Sequence, residues 1–581
     1  MKAVLELLSF IWNKGIKMIN FKEEVKQIIL GFDTGLTEKE ISDLIEIPPN
    51  SDMGDYAFPV FKLAKTFRKA PNLIAEELAK KEFSNENIKK IANVGPYVNF
   101  FVDNSKLVES VLTEAVKDDF GSSHIGVGKN VVFDFSSTNI AKPFHIGHLR
   151  STVIGNAIRN IMKYQGFNTT GVNYIGDYGT QFGMMISAYL KWGDEDKINA
   201  DPIKELLNLY VKYNKIAKED ESYMDEARDW FDKLEKKDPT AVKLWSWFRE
   251  ISLKEFQRVY DLLGVEFDNY NGESFHSQFI GDALEAIDKK NLLEESDGAM
   301  IINLDDENLP PVLIKKSNGS STYLTRDIAT AMYRKRTYDF YKNVYVVASQ
   351  QKLHFEQLRA VLKKMGFDWW DDCEHVSFGM VSMKDGSMKT REGKVIFLED
   401  VLNRAIDKTK SIIEERNPNL ENKEEVAKQV GVGAVIFQDL FNNRIKDYTF
   451  DWDQVLNFDG ETGPYTQYTF ARSCSILDKG EFELKDNSKF DLLVDETEID
   501  IVKHLSKFEE VLLNATEKYE PSFLTRYTVE LAKLFNKFYA NCPINTVEDE
   551  LKYQRLYLTY SVNKCLKLSL SLLGIEAPVR M

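Results

Sequence analysis

Cysteine is scarce in this chain. Cys373, Cys474, Cys542 and Cys565 are its only four, and they stand far apart with no C-x-x-C pair. That excludes a disulfide framework and a paired-thiol zinc site, so buried thiols in a reducing compartment and no resident metal are expected. Long apolar runs are missing too. Nothing approaches the roughly 18 consecutive apolar residues of a membrane span. The opening MKAVLELLSFIWNKGIKMIN is interrupted by Glu6 and has no small-residue cleavage pattern behind it. Neither secretion nor a membrane partner is expected, and the chain reads as cytoplasmic. Low-complexity tracts, the usual mark of disorder, do not occur. Nor is there an excess of positive charge, since 75 Lys and Arg face 91 Asp and Glu, a formal net charge of −16. An acidic sum argues against nucleic acid as a default partner without excluding it, because phosphates need only a local basic surface.

What the chain does have is length and periodicity. Its 581 residues exceed one compact core and imply several domains. Met18 opens a fresh amphipathic segment, which leaves residues 1–20 as an extension of unreadable role. A small α/β segment follows over 21–120. In it, Lys62, Lys65, Arg68 and Lys69 of FKLAKTFRKA recur at helical spacing and predict a helix with a basic face, solvated or facing an anion. From 121 to 410 the pattern is α/β. VVFDFSS is a buried strand ending in small polar residues, and Pro143 stands where a helix start tolerates it. Leu149, Val153, Ile154, Ala157, Ile158, Ile161 and Met162 then repeat at helical spacing before the strand TTGVNYIGD. Strand, loop, helix and strand make a βαβ unit, and hence a parallel sheet with a right-handed crossover. Residues 189–300 read as a charged helical insertion. The pattern then resumes with YLTRDIATAMYRKR, NVYVVASQQ and HFEQLRAVLKKMG. Residues 411–581 are almost wholly helical and predict a separate bundle. The fold class is therefore α/β, a Rossmann-type parallel sheet flanked by a small N-terminal α/β domain, a helical insertion and an all-α C-terminal bundle.

The chemistry concentrates at Phe144-His145-Ile146-Gly147-His148, on the first turn of the long helix. His145 and His148 are three residues apart and share a face. Gly147 has no side chain to keep a ligand from the backbone, and the free N–H groups and dipole of a helix start favour phosphate. In such sheets ligands bind just beyond the strand ends. A bare H-x-x-H would be read as incidental or as half of a zinc site, but no third ligand stands nearby. In this context the pair reads as a nucleotide site.

Residues 134–155, DFSSTNIAKPFHIGHLRSTVIG, resemble the signature of class I aminoacyl-tRNA synthetases, and their flanks resemble the arginine enzymes in particular. NYIGDYGTQFG at 173–183, YLTRD at 323–327, VASQQKLHFEQL at 347–358, GPYTQYTFAR at 463–472 and the terminal LLGIEAPVRM resemble the same subfamily. The resemblance implies activation of L-arginine by ATP with Mg2+, then esterification to tRNA(Arg), by a monomer that generally needs bound tRNA for the first step. It makes His145, His148 and Lys142 catalytic, together with Lys389 and Arg391 of a KMSK-like loop at 386–394. That loop departs from the general pattern, with Ser387 for the first lysine and Thr390 for the last, a loss that Lys142 offsets in many arginine enzymes. Gly147, His354 and Met388 join the histidines at ATP. Asp134, Tyr323 and Asp327 match positions facing the guanidinium, and Ser137, Asn139 and Gln351 match those holding the α-amino and carboxylate groups.

Taken without the family, Asp327 is equally an ordinary helix-start acid and Tyr323 an ordinary strand aromatic, whereas Asp134 at a buried strand end requires a partner. Tyr465 and Tyr468, with Arg472 and Met581, match the anticodon-loop side of the C-terminal domain, although both tyrosines also suit a bundle core. The N-terminal segment matches the family's domain at the tRNA elbow. Two rivals remain, a class I synthetase of another specificity and a non-catalytic RNA-binding paralogue. The second would be expected to erode His145, Gly147 or His148, all of which stand.

Overall fold

The computed structural model describes residues 18–142, 144–384, 397–485 and 488–581. The extension at 1–17, Pro143 and most of the KMSK-like region, including Met388, Lys389 and Arg391, lie outside the described residues.

The chain forms two compact units. One gathers the segment up to Gly121 with Arg472–Phe508 and Leu531–Cys565. Strands β1 (Tyr56–Pro59), β2 (Ile88–Val94) and β3 (Tyr97–Val102) make an antiparallel sheet in the order β1-β3-β2. In β3, Val98, Phe100 and Val102 are buried on one face, and Asn99 between them is buried too. The basic helix is shorter than predicted and spans only Leu63–Phe67. Arg68 turns left-handed at φ 50°, and Ala70 is extended ahead of Pro71, which starts the next helix. The left-handed Arg68 ends the helix inside the basic stretch, and the residue before a proline disfavours the helical region, so no helix runs on into Pro71. Lys69 instead pairs with Glu77 at 2.7 Å. The non-contiguous pieces of this unit are knit by Lys503 Nζ on Asp55 Oδ1 at 2.5 Å and by Phe120 stacked on Phe508.

The other unit comprises Ser122–Ala471, Glu509–Glu530 and Leu566–Met581. Its centre is a parallel sheet, built first from β4 (Asn130–Asp134), which leads through α1 (Ile146–Tyr164) to β5 (Asn168–Val172). Helix α2 (Thr180–Trp192) opens the insertion, α3 (Pro239–Leu263) closes its long helical part, and the single turn α4 (Glu273–His276) follows. The insertion is not helical to its end. Strands β6 (Glu294–Ser296), β7 (Ala299–Ile302) and β8 (Val312–Lys315) form an antiparallel sheet. Asp297 and Gly298, both at positive φ, make the tight turn between β6 and β7, and an Asp-Gly pair is the sequence signal for it. Next come α5 (Tyr323–Tyr338), β9 (Lys342–Ala348), α6 (Lys352–Lys364), β10 (Cys373–Phe378), β11 (Val381–Met383), α7 (Lys423–Phe441), β12 (Tyr448–Phe450) and α8 (Gly463–Gly480), which begins in this unit.

The parallel sheet runs β10-β9-β4-β5. β4 has a strand on each side, so Val131, Val132 and Phe133 are all buried without alternation. The apolar residues of α1 named above are buried as predicted. Arg150 on the same helix was not foreseen in the core, yet it is 1% exposed. It pairs with Asp439 at 3.3 Å and donates to the carbonyls of Gly379 and Lys446 at 2.8 and 2.9 Å. A buried charge survives only with such partners, and these tie α1 to α7 and to the segments entering β11 and β12. Among the described residues no helix is long and apolar enough to cross a membrane.

Candidate active site

His145 is the N-cap of α1, in extended conformation at φ −102°, ψ 165°. Its Nδ1 accepts from the Gly147 N–H at 3.0 Å, while the His145 N–H donates to His148 Nδ1 at 3.2 Å. The two rings stack with centroids 3.9 Å apart. This is a reciprocal capping box with imidazoles in place of the usual hydroxyl and carboxylate. A ring nitrogen that accepts a backbone N–H carries no proton, so each neutral imidazole keeps its hydrogen on Nε2. Burial keeps the rings neutral. It pushes His148 down to about 3, with the charges of His145 and Lys142 adding, and it lowers His145 as well. The motif therefore presents two Nε2–H donors of fixed tautomer and no net charge.

The loop between β4 and α1 is bent hard. Ser136, Ser137 and Ala141 all adopt left-handed φ, at 71°, 49° and 60°, which costs roughly 1–2 kcal/mol per residue without glycine. Contacts from elsewhere hold it there. Ser136 N donates to Ser151 Oγ at 2.9 Å, Ala141 N to Ser252 Oγ at 3.2 Å, and Asn139 bridges to Gly176. Lys142 ends the loop half-buried. Burial lowers its pKa, and the charge of Glu273 opposes that shift.

The candidate acids are distributed differently from expectation. Asp134 is buried with both oxygens engaged by the chain itself, Oδ2 by Arg334 Nη2 at 2.7 Å and Oδ1 by Ser137 Oγ at 2.9 Å. Burial raises its pKa against those two partners. Asp327 receives His354 instead, Nε2 to Oδ2 at 2.6 Å. Burial alone would lower His354, but the hydrogen bond and charge of Asp327 raise it. Tyr323 is not on a strand. It is the first residue of α5, 70% exposed, with Arg326 over its ring at 4.6 Å. Tyr323, Asp327 and Arg334 are spaced by four and seven residues and so line one face of that helix. Gln351 is exposed in the turn after β9. Sequence reasoning passed over Glu273, at the start of α4. Burial pushes it up to about 7, Asp327 and Asp177 adding, Arg326 and Lys142 opposing. Its Oε2 lies 3.4 Å from Arg326 Nη1, a long ion pair, and two acids within electrostatic reach of each other favour a cation between them.

Behind Glu273, the His276 ring is buried among Tyr174, Phe275, Phe279 and Tyr333, with Nδ1 donating to Gly272 O at 2.9 Å. Burial pushes it down to about 3, the charge of Arg334 adding. A histidine so depressed binds its proton more tightly in the unfolded chain. The stability present above the ordinary value of 6.5 is lost as pH falls from there towards 3. Urea unfolding at pH 7.5 and pH 5 is therefore expected to cost the parent about 2 kcal/mol more than His276→Phe. Equal losses in the two proteins would refute the buried neutral ring.

The residues expected on the RNA side are placed as follows. Tyr465 is half-buried and Tyr468 is 41% exposed, both on α8. Arg472 donates to Asn536 Oδ1 at 2.5 Å and stacks on Tyr539. Met581 packs on the cluster of Ile413, Val426, Ala427 and Val430, and its carbonyl accepts from Asn417 Nδ2 at 3.4 Å.

Comparison with known proteins agrees with this architecture. Residues 108–452 match the family described as tRNA synthetases class I (R), catalytic domain, which takes in more than half of the chain. The chain belongs to the arginyl-tRNA synthetase family. Residues 19–102 match the arginyl tRNA synthetase N terminal domain, and 466–581 match the DALR anticodon binding domain. The chain is 53% identical to the arginine–tRNA ligase of Halothermothrix orenii, over 97% of its own length and 100% of that protein's. It is 51% identical to that of Clostridioides difficile over the same shares. Among solved structures it is similar to the arginyl-tRNA synthetase of Plasmodium falciparum, with TM-score 0.81, 25% identity, and coverage of 98% and 100%. The Thermus thermophilus arginyl-tRNA synthetase gives TM-score 0.76 and 25% identity over 97% and 99%. Within this synthetase fold, the only signal that pointed to Glu273 was an acid directly after Gly272, too common to single out without the tertiary structure.

Proposed function

We propose that this chain activates L-arginine with ATP to arginyl-adenylate and pyrophosphate, then transfers the arginyl group to the 3′-terminal adenosine of tRNA(Arg). The observation that carries the reading is the reciprocal histidine cap. In the first step the arginine carboxylate attacks the α-phosphorus, the bond to the β-phosphate oxygen breaks, and negative charge spreads over the phosphate oxygens. Such a transfer is accelerated by alignment and by donors fixed in advance. The Nε2–H groups of His145 and His148, at a helix N-terminus, are donors of that kind. Lys142 contributes charge beside them, and Lys389 and Arg391 of the KMSK-like loop are the further cations of this reading, with Met388 and Gly147 against the nucleotide. Mg2+ would arrive on the ATP phosphates and neutralise part of their charge.

For the amino acid, Asp327 and Glu273 take the planar five-donor guanidinium, with Tyr323 at the pocket mouth. Ser137, Asn139 and Gln351 hold the α-amino and carboxylate groups. Asp134 acts through Ser137, whose hydroxyl it orients, because its own oxygens are already occupied. His354 bridges the adenosine side to Asp327. On the RNA side, Tyr465, Tyr468 and Met581 belong to the anticodon end and Arg472 to its framework. We place the protein in the cytoplasm as a monomer, with functional modules at 21–120, 121–410 and 411–581.

Pyrophosphate–ATP exchange across the amino acids, with and without total tRNA, tests the reading. Exchange with arginine that appears only with tRNA supports both the activity and the coupling. Exchange with arginine alone keeps the specificity and removes the coupling. Folded protein that exchanges with no amino acid under either condition would be an RNA-binding paralogue.

A further inference from the structure

The string NYIGDYGTQFG contributes no group to the chemistry above, yet residues 175–177 touch both ends of the amino-acid pocket. On one side, Gly176 N donates to Thr138 O at 2.9 Å and Gly176 O accepts from Ile140 N at 3.1 Å, so the segment pairs across Asn139. On the other side, Ile175 O accepts from Glu273 N at 3.1 Å. Asp177, fully buried, takes Ser274 N on Oδ1 at 2.8 Å, Ser274 Oγ on Oδ2 at 2.7 Å and Arg249 Nε on Oδ2 at 3.0 Å. Its backbone carbonyl accepts from Trp245 Nε1 at 2.8 Å. Both junctions are close, and the one at Gly272, against a backbone oxygen, is too tight for any side chain. A Cβ on Gly176 would lie 2.3 Å from Asn139 Oδ1, and one on Gly272 would lie 2.3 Å from Ile175 O.

Three consecutive residues thus bind the loop that carries Ser137 and Asn139 to the turn that carries Glu273. We propose that this segment is a length gauge, in which Asp177 is a positioning residue that holds the Glu273 carboxylate at a set span from Asn139. The pocket then selects the number of methylenes between the α-carbon and the guanidinium, as well as the charge. The inference rests on the guanidinium role of Glu273 proposed above. A buried carboxylate with three charged or polar donors resists displacement. A ligand anchored at both ends can be misplaced by a single methylene, for which pockets discriminate by about 10- to 200-fold.

The test compares arginine with homoarginine, one methylene longer, by kcat/KM in tRNA-supported pyrophosphate exchange. In Asp177→Asn the preference for arginine is expected to fall by about tenfold or more, with the KM for ATP unchanged. Ser274→Ala keeps the buried acid, should fold in either case, and is expected to move the ratio the same way by less. If Asp177→Asn does not fold, the ratio in Ser274→Ala decides. Equal losses for both amino acids, leaving the ratio as in the parent, would overturn the gauge. Glu273→Gln separates the two readings. If it leaves kcat/KM for arginine intact, the guanidinium role itself fails. If it lowers arginine use while the Asp177 and Ser274 variants keep the parental ratio, only the gauge fails.

Discussion

Replacing His148 with alanine is expected to lower kcat for arginine-dependent pyrophosphate exchange by about 10²- to 10³-fold, with arginine affinity nearly unchanged. The magnitude is that of removing one preorganised donor from the position where charge develops. It applies because His148 Nε2 is a donor by construction. Its Nδ1 is committed to the His145 N–H, and burial holds the ring near a pKa of 3, so no proton has to be found and no tautomer has to switch at the moment of reaction. The substitution also removes half of the cap on α1, worth roughly 1 kcal/mol of stability. Thermal unfolding of the variant therefore belongs beside the kinetics. A loss of less than about fivefold in kcat, or a loss carried wholly by the KM for ATP, would show that the ring binds ground-state ATP and nothing more.

The second large effect concerns arginine. Asp327→Asn is expected to raise the KM for arginine by about 10²- to 10³-fold, in the range for truncating one partner of a desolvated charge pair, and to leave the KM for ATP nearly unchanged. The free enzyme already pairs Asp327 with His354 at 2.6 Å, and that contact raises the imidazole pKa. Once protonated, His354 competes with the substrate guanidinium for the same carboxylate. The KM for arginine in the parent should therefore climb as pH drops through the raised pKa, a limb that Asp327→Asn abolishes. Steady-state exchange with either substrate varied, at several pH values, reads both effects. Equal losses for arginine and ATP would contradict the assignment of Asp327.

Much of this protein is legible in its sequence. The βαβ unit, the parallel sheet and the long helix after it follow from runs of β-branched and periodic apolar residues, whose burial dictates the structure locally. The place of His145-Ile146-Gly147-His148 at a helix start is also legible, and the structure has His145 as the N-cap of α1. The basic helix of the N-terminal segment is shorter than its periodicity suggests, because Arg68 turns left-handed, and apolar and basic spacing does not report a backbone break. The hairpin at Asp297-Gly298 was hidden by strands of three or four residues, too short to carry a period of their own.

The side chains that decide the chemistry depend on partners distant in sequence. Asp134 needed a partner by the logic of burial, but only the fold supplied Arg334, 200 residues away. His354 sits on Asp327 because α6 and α5 meet over the sheet. The turn of Glu273 is held by Ile175 O on its own N–H and by Asp177 on Ser274, a pair 97 residues apart in the chain. By itself the sequence determined the family and the order of the main strands and helices, since motifs and apolar periodicity are written within a few residues of chain. Only the tertiary structure decided which partner each carboxylate holds, Arg334 for Asp134, His354 for Asp327 and Arg326 for Glu273, because a buried charge is claimed by whichever opposite charge or donor the folded chain brings close.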